Sequence, residues 1–107
     1  MKTIIASMIA AAGLMTAASA MAAEMPDLAK KSGCTSCHAI DKKLVGPGWM
    51  EIAKKYKGDK GAEAKLITKV AKGGGGVWGK MPMPPNSPKV SDADIKSLVK
   101  FILDLAK

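Results

Sequence analysis

Both cysteines and the one histidine of this chain fall within five consecutive residues, Cys34-Thr35-Ser36-Cys37-His38. That clustering constrains the fold more than any periodicity does, because three reactive side chains must share one site. C-x-x-C-H is the attachment signature of a c-type haem. Two thiols three positions apart on a helical turn can each add to a vinyl group of the same porphyrin. The imidazole of the next residue is then held beneath the ring, where it coordinates iron. Other readings of the motif fare worse. A redox dithiol or plain disulfide suits an exported protein, but a thioredoxin-like motif needs a βαβ setting that the sequence does not offer. Zinc takes four ligands, and two Cys with one His fall short. A lone His is ordinarily a core residue, a reading that its place directly after the second Cys overrides.

The N-terminus reads as a leader. Lys2 precedes the uncharged run Ile4–Met15, and small residues follow at Ala17-Ala18-Ser19-Ala20-Met21-Ala22. This is the layout of a secretory signal peptide over residues 1–22, cleaved after Ala20 or Ala22. A retained membrane anchor is the alternative, since a span needs about 20 apolar residues. The small residues at the end of the run and the absence of a basic stop-transfer cluster argue against it. The expected location is the periplasm, with no stable membrane insertion after cleavage.

Residues 23–107 remain as one domain of about 85 residues. A chain this short has difficulty building a sufficient core alone and usually needs a staple, metal or cofactor. Here the aromatic residues number only four: Trp49, Tyr56, Trp78 and Phe101. A haem would fill the space that they leave.

Charge narrows the partners. All 17 basic residues are Lys, and losing Lys2 leaves 16 against 9 acids, a net of +7. A basic protein seeks an acidic patch, an anionic membrane or nucleic acid. The total lack of Arg argues against nucleic acid, where bidentate Arg forks are the favoured reading tool.

The remaining pattern is helical. Pro26 and Asp27 suit a helix start, and the helix runs through Lys31 into the cysteine motif. Trp49, Ile52, Ala53 and Tyr56 form one apolar face of a second helix. Ala62, Leu66, Ile67 and Val70 form that of a third, ended by Gly73. Ser91 caps a fourth, with Asp94 at the capping-box position and Val90 able to staple against Ile95. Ile95, Leu98, Val99 and Ile102 make its buried stripe. No segment alternates with period two. Gly73–Val90 is long and Gly/Pro-rich without regular structure, which in a compact domain is usually functional. Its Gly74-x-Gly76-x-x-Gly79 lacks the strand–turn–helix context of a dinucleotide site.

Met81 and Met83 both lie in that segment. Two residues apart in an extended loop, they point the same way, so spacing alone excludes neither as an iron ligand. Pro82 before Met83 and Pro84-Pro85 after it restrict the backbone from both sides, which favours Met83.

Taken together, Gly33–Asp41, Val45-Gly46-Pro47, Gly76-Val77-Trp78-Gly79 and Pro82-Met83-Pro84-Pro85-Asn86 resemble the short bacterial class I cytochromes c, from about Glu24 to Lys107. The resemblance implies an all-α class I cytochrome c fold, about four helices wrapped around one haem c bound covalently through Cys34 and Cys37. It implies His38 and Met83 as the axial iron ligands. It also implies that the Pro47 carbonyl accepts a hydrogen bond from His38, that the Trp78 indole N–H reaches a haem propionate, and that Asn86 lies beside the Met83 sulfur. As residues alone, Trp78 also fits an ordinary core and Pro47 and Asn86 plain turns. Lys69 stands where some relatives have an Arg near the propionates, and Lys pairs only as a point charge.

The expected function is one-electron transfer between respiratory complexes and a terminal reductase or oxidase, without enzymatic activity. The expected partners are redox proteins with acidic docking patches, met by a monomer. Lys42, Lys43 and Lys80 are the candidate docking lysines. The alternatives are a haem peroxidase-like enzyme, which needs an open iron position and a distal acid–base residue, and a redox or gas sensor with a labile Met.

Overall fold

A computed structural model describes residues 24–107. The leader assigned to 1–22, with both cleavage positions, lies outside the described residues. The described chain runs α1 (Asp27–Lys31), a 3-10 turn (Cys34–Ser36), α2 (Trp49–Lys55), α3 (Ala62–Lys72) and α4 (Asp92–Asp104). As expected, the fold is all-helical. Among the described residues, β-type pairing is confined to two isolated bridges, His38 with Lys43 and Gly74 with Met83.

Local chemistry sets the helix ends. Pro26 is the residue before α1 rather than part of its first turn, and its carbonyl accepts the Ala29 and Lys30 N–H groups. α1 stops at Lys31 and does not run on into the cysteines. Gly33 follows with φ +81°, a left-handed conformation that glycine adopts freely, and restarts the chain as the 3-10 turn. At α2 the Glu51 carboxylate accepts the Gly48 N–H at 3.2 Å. At α4 the Ser91 hydroxyl accepts the Asp94 N–H at 3.2 Å. The reverse capping contact, from the Asp94 side chain to the Ser91 N–H, does not form; Asp is one methylene shorter than the usual Glu.

α4 is the spine. α1, α2 and α3 each pack against it, whereas α2 and α3 do not pack against each other. Its stripe Ile95, Leu98, Val99 and Ile102 is buried, with Ile95 and Val99 the largest fully buried side chains. Trp49 of α2 meets Phe101 of α4 edge to face, ring centroids 5.9 Å apart, a favoured aromatic geometry. Because α2 and α3 reach α4 but not each other, the space between them stays open toward the cysteine motif.

Ile95→Ala is expected to cost about 2–5 kcal/mol, the usual range for truncating a buried aliphatic side chain. Lys96→Ala, on the exposed face beside it, should stay within about 0.5 kcal/mol. Urea titrations of the two variants check this: a lowered midpoint at constant slope for the first, and no shift for the second.

Candidate haem-binding site

The wall that carries the motif is built locally. The Cys34 carbonyl accepts the N–H groups of both Cys37 (3.2 Å) and His38 (2.9 Å), which closes the turn and brings three side chains to one side of the chain. Both cysteines are half-buried free thiols. Burial pushes the Cys34 thiol pKa up, and the neighbouring Cys37 adds to the effect. The loop after His38 folds back through Gly46 N–H to Cys37 carbonyl (2.8 Å) and Trp49 N–H to Ala39 carbonyl (2.9 Å). This return places Pro47 against the imidazole, whose Nδ1–H donates to the Pro47 carbonyl at 2.7 Å. A carbonyl can only accept, so the proton sits on Nδ1 and the lone pair on Nε2. His38 is the one polar side chain buried among the described residues.

The facing wall comes from the Gly73–Val90 segment. Gly73 ends α3 with φ +75°, and a Cβ there would run into the Met83 carbonyl oxygen and the Pro84–Pro85 backbone. Only glycine lets the methionine segment cross so close to the end of α3. Gly74 and Met83 then exchange two hydrogen bonds, Gly74 N–H to Met83 carbonyl (2.9 Å) and the reverse (3.0 Å). Met83 is half-buried with its backbone clasped, whereas Met81 is 68% exposed. Both line the cavity.

Between the walls lies a cavity of about 290 Å³. Cys34, Cys37, His38 and Pro47 of the motif loop and Met83 of the Gly73–Val90 segment line it, with Trp49, Ile52, Leu66 and Leu98 among its apolar residues. Trp78 lies at its edge, 37% exposed, and its indole N–H donates to no described residue. The Lys55 ammonium sits 5.7 Å from the Trp78 ring centroid and 5.9 Å from that of Tyr56, within the range of a cation–π contact. Asn86 is not part of the cavity lining. Its side-chain amide donates to the Val70 carbonyl at 3.0 Å and the Pro84 carbonyl at 3.3 Å, tying the loop to the end of α3. Lys42, Lys43 and Lys80 are exposed and outside the lining.

The cytochrome c family profile matches residues 16–106. The chain belongs to the cytochrome c family. It is 53% identical over 78 residues to the cytochrome c-551 of Allochromatium vinosum, covering 73% of this chain and 82% of that one. It is 46% identical over 105 residues to the cytochrome c-552 of Nitrosomonas europaea, covering 98% and 99%. The crystal structure of wild-type Nitrosomonas europaea cytochrome c552 superposes with a TM-score of 0.71 at 49% identity, covering 74% of this chain and 96% of that chain. Such relatives make this a class I monohaem cytochrome c, an electron carrier.

The residues present fit the one covalent c-type haem of a cytochrome c. Two thiols and an imidazole with its Nε2 lone pair available stand on one wall, a thioether on the other, and apolar groups between them. When bound, the haem supplies an iron that gains and loses one electron. The protein's part is to hold and orient ligands and to keep water from them. Three residues of this arrangement escape sequence reasoning. Gly46 lies against the imidazole, where a Cβ would come within 2.7 Å of His38 Cε1, and Gly73 lies against the Met83 backbone. In the sequence Gly46 is only part of Val-Gly-Pro, and Gly73 only a helix stop. Lys65 at the rim also carried no signal.

With both thiols at the cavity, the haem should remain with the polypeptide through acid–acetone extraction and denaturing electrophoresis. A haem that extracts freely would rule out thioether attachment.

Proposed function

We propose that this cytochrome c carries single electrons in the periplasm through an iron ligated by His38 and Met83, between respiratory complexes and a terminal reductase or oxidase, and is not an enzyme. The observation that carries the proposal is the independent backbone fixation of both ligand residues. Pro47 orients His38 by a hydrogen bond, a contact of the kind that sets ring orientation and raises ligand basicity. Gly74 clasps Met83 by two. With both axial positions filled, no iron position is open to substrate, and methionine ligation raises the reduction potential. Trp78, whose indole N–H is uncommitted, lines the cavity and would donate to a haem propionate; Lys69 also lines the cavity. Asn86 serves the site through the loop that it staples. A peroxidase-like reaction would need a distal acid–base group, and the chain's only His is on the proximal wall.

Export accords with the matches to Nitrosomonas europaea cytochrome c-552. The curated relative is covered along 98% of this chain, whereas the crystallised chain is almost fully covered by 74% of it. A removed leader of 22 residues accounts for most of that difference. No helix among the described residues is long and apolar enough to cross a membrane. The working form is a monomer that meets acidic patches on its partners. The described residues carry a net +7, and only Lys65 and Lys107 form ion pairs within them.

Met83→Ala should abolish the thioether-to-iron charge-transfer band and lower the reduction potential, with Met81→Leu nearly silent in both. Absorption spectra and redox titration check this, and the opposite pattern would move the ligand to Met81.

Oxidation of the ferrous protein by hexacyanoferrate(III) should slow as ionic strength rises from 0.01 to 0.1 M, where the Debye length falls from about 30 to about 10 Å. Reversing charge at Lys42 and Lys43 should flatten that dependence. A parent rate that stays flat or rises with salt would remove electrostatic docking from the account.

A further inference from the structure

We infer that Gly46 is a positioning residue for the haem: its bare Cα acts as a steric stop that sets the orientation of the His38 imidazole. The inference rests on His38 as an axial ligand. Among the described glycines, Gly46 is the one whose added Cβ would meet the imidazole. That Cβ would lie 2.7 Å from Cε1 and 3.2 Å from both Nδ1 and Nε2, inside the 3.4 Å at which ordinary contact begins. A Cβ in the ring plane beyond Cε1 would stand farther from both nitrogens, so the approach is to the face of the ring, over Cε1.

Neither partner in this contact has freedom to retreat. The Gly46 N–H donates to the Cys37 carbonyl at 2.8 Å, and the Gly46 carbonyl accepts the Leu44 N–H at 3.0 Å. Both of its peptide groups are thus tied down, one of them to the haem motif itself. The imidazole is held at Nδ1 by Pro47, 2.7 Å away, and is 8% exposed, with the Trp49 ring centroid at 6.1 Å. Gly46 and Pro47 together fix the ring at two points. The carbonyl of Pro47 fixes the direction of Nδ1, and the Gly46 backbone, with room for no side chain, bounds the face of the ring at Cε1. A methyl group at residue 46 would move the ring by several tenths of an ångström. A displacement of that size reaches the roughly 0.5 Å within which a functional group must be held.

Gly48 provides a matched control in the same loop. A Cβ there would lie 2.9 Å from the Lys42 N and O atoms, a similar crowding directed at loop backbone instead of imidazole. The experiment compares holo-protein of the parent, Gly46→Ala and Gly48→Ala by proton NMR of the ferric state, reading the hyperfine shifts of the four haem methyls, which respond to imidazole orientation. Gly46→Ala should redistribute these shifts, and Gly48→Ala should leave their order and spread unchanged even if it lowers the unfolding midpoint. Unchanged shifts in both variants, or the same redistribution in both, would overturn the inference. If Gly46→Ala alone accumulates no holo-protein while Gly48→Ala loads normally, the inference stands; if both fail alike, loop crowding explains the result and the inference falls. The parent spectrum tests the assumption beneath it. Absence of hyperfine-shifted His38 ring protons would remove His38 as ligand, whereas their presence with a silent Gly46→Ala would remove only the role of Gly46.

Discussion

The gap between α2 and α3 governs this molecule. Both helices bury apolar faces on α4, yet they do not touch, and four aromatic side chains cannot close the distance. A cavity of about 290 Å³ lined by Trp49, Ile52, Leu66 and Leu98 would be costly as empty space, because its lining forgoes dispersion contacts. The covalent haem of the family is the large apolar body that such a chain lacks. Cofactor and core are therefore one problem here: the group that moves the electron also completes the packing.

The two walls of that gap hold their side chains in different ways. On the motif wall everything is near in sequence. One carbonyl, that of Cys34, closes the turn, and the loop through Pro47 returns within nine residues to fix the tautomer of His38. On the opposite wall the loop has few side chains with which to hold itself. It relies instead on backbone passing backbone, with Gly73 giving room and Gly74 giving two hydrogen bonds to Met83. Asn86 then secures the far end of the segment to the last turn of α3. For the ligation proposed for Met83, ordering the loop in advance lowers the entropy lost in keeping a weak thioether ligand in place.

Charge is arranged around this apolar centre with little internal pairing. Asp59 both accepts the Gly61 N–H and pairs with Lys65, and these contacts lower its carboxyl pKa. That pair is exposed and adds little to stability. Most lysines face solvent without an acidic partner, and the resulting positive field acts at a distance on whatever approaches.

What the sequence determined by itself was local chemistry and periodicity. The C-x-x-C-H motif names the cofactor because attachment depends on spacing along a few residues. The stripe from Ile95 to Ile102 names the buried face of α4 because helical geometry repeats. The prolines around Met83 restrict its backbone wherever the loop goes. Tertiary structure decided what depends on distant segments meeting. It separated α1 from the cysteine turn at Gly33, tied the Asn86 amide to the end of α3, and set Lys55 over Trp78. It also left no room for a Cβ at Gly46 or Gly73, and a glycine needed because a distant group occupies the place of its side chain looks, in sequence, like any other glycine in a turn.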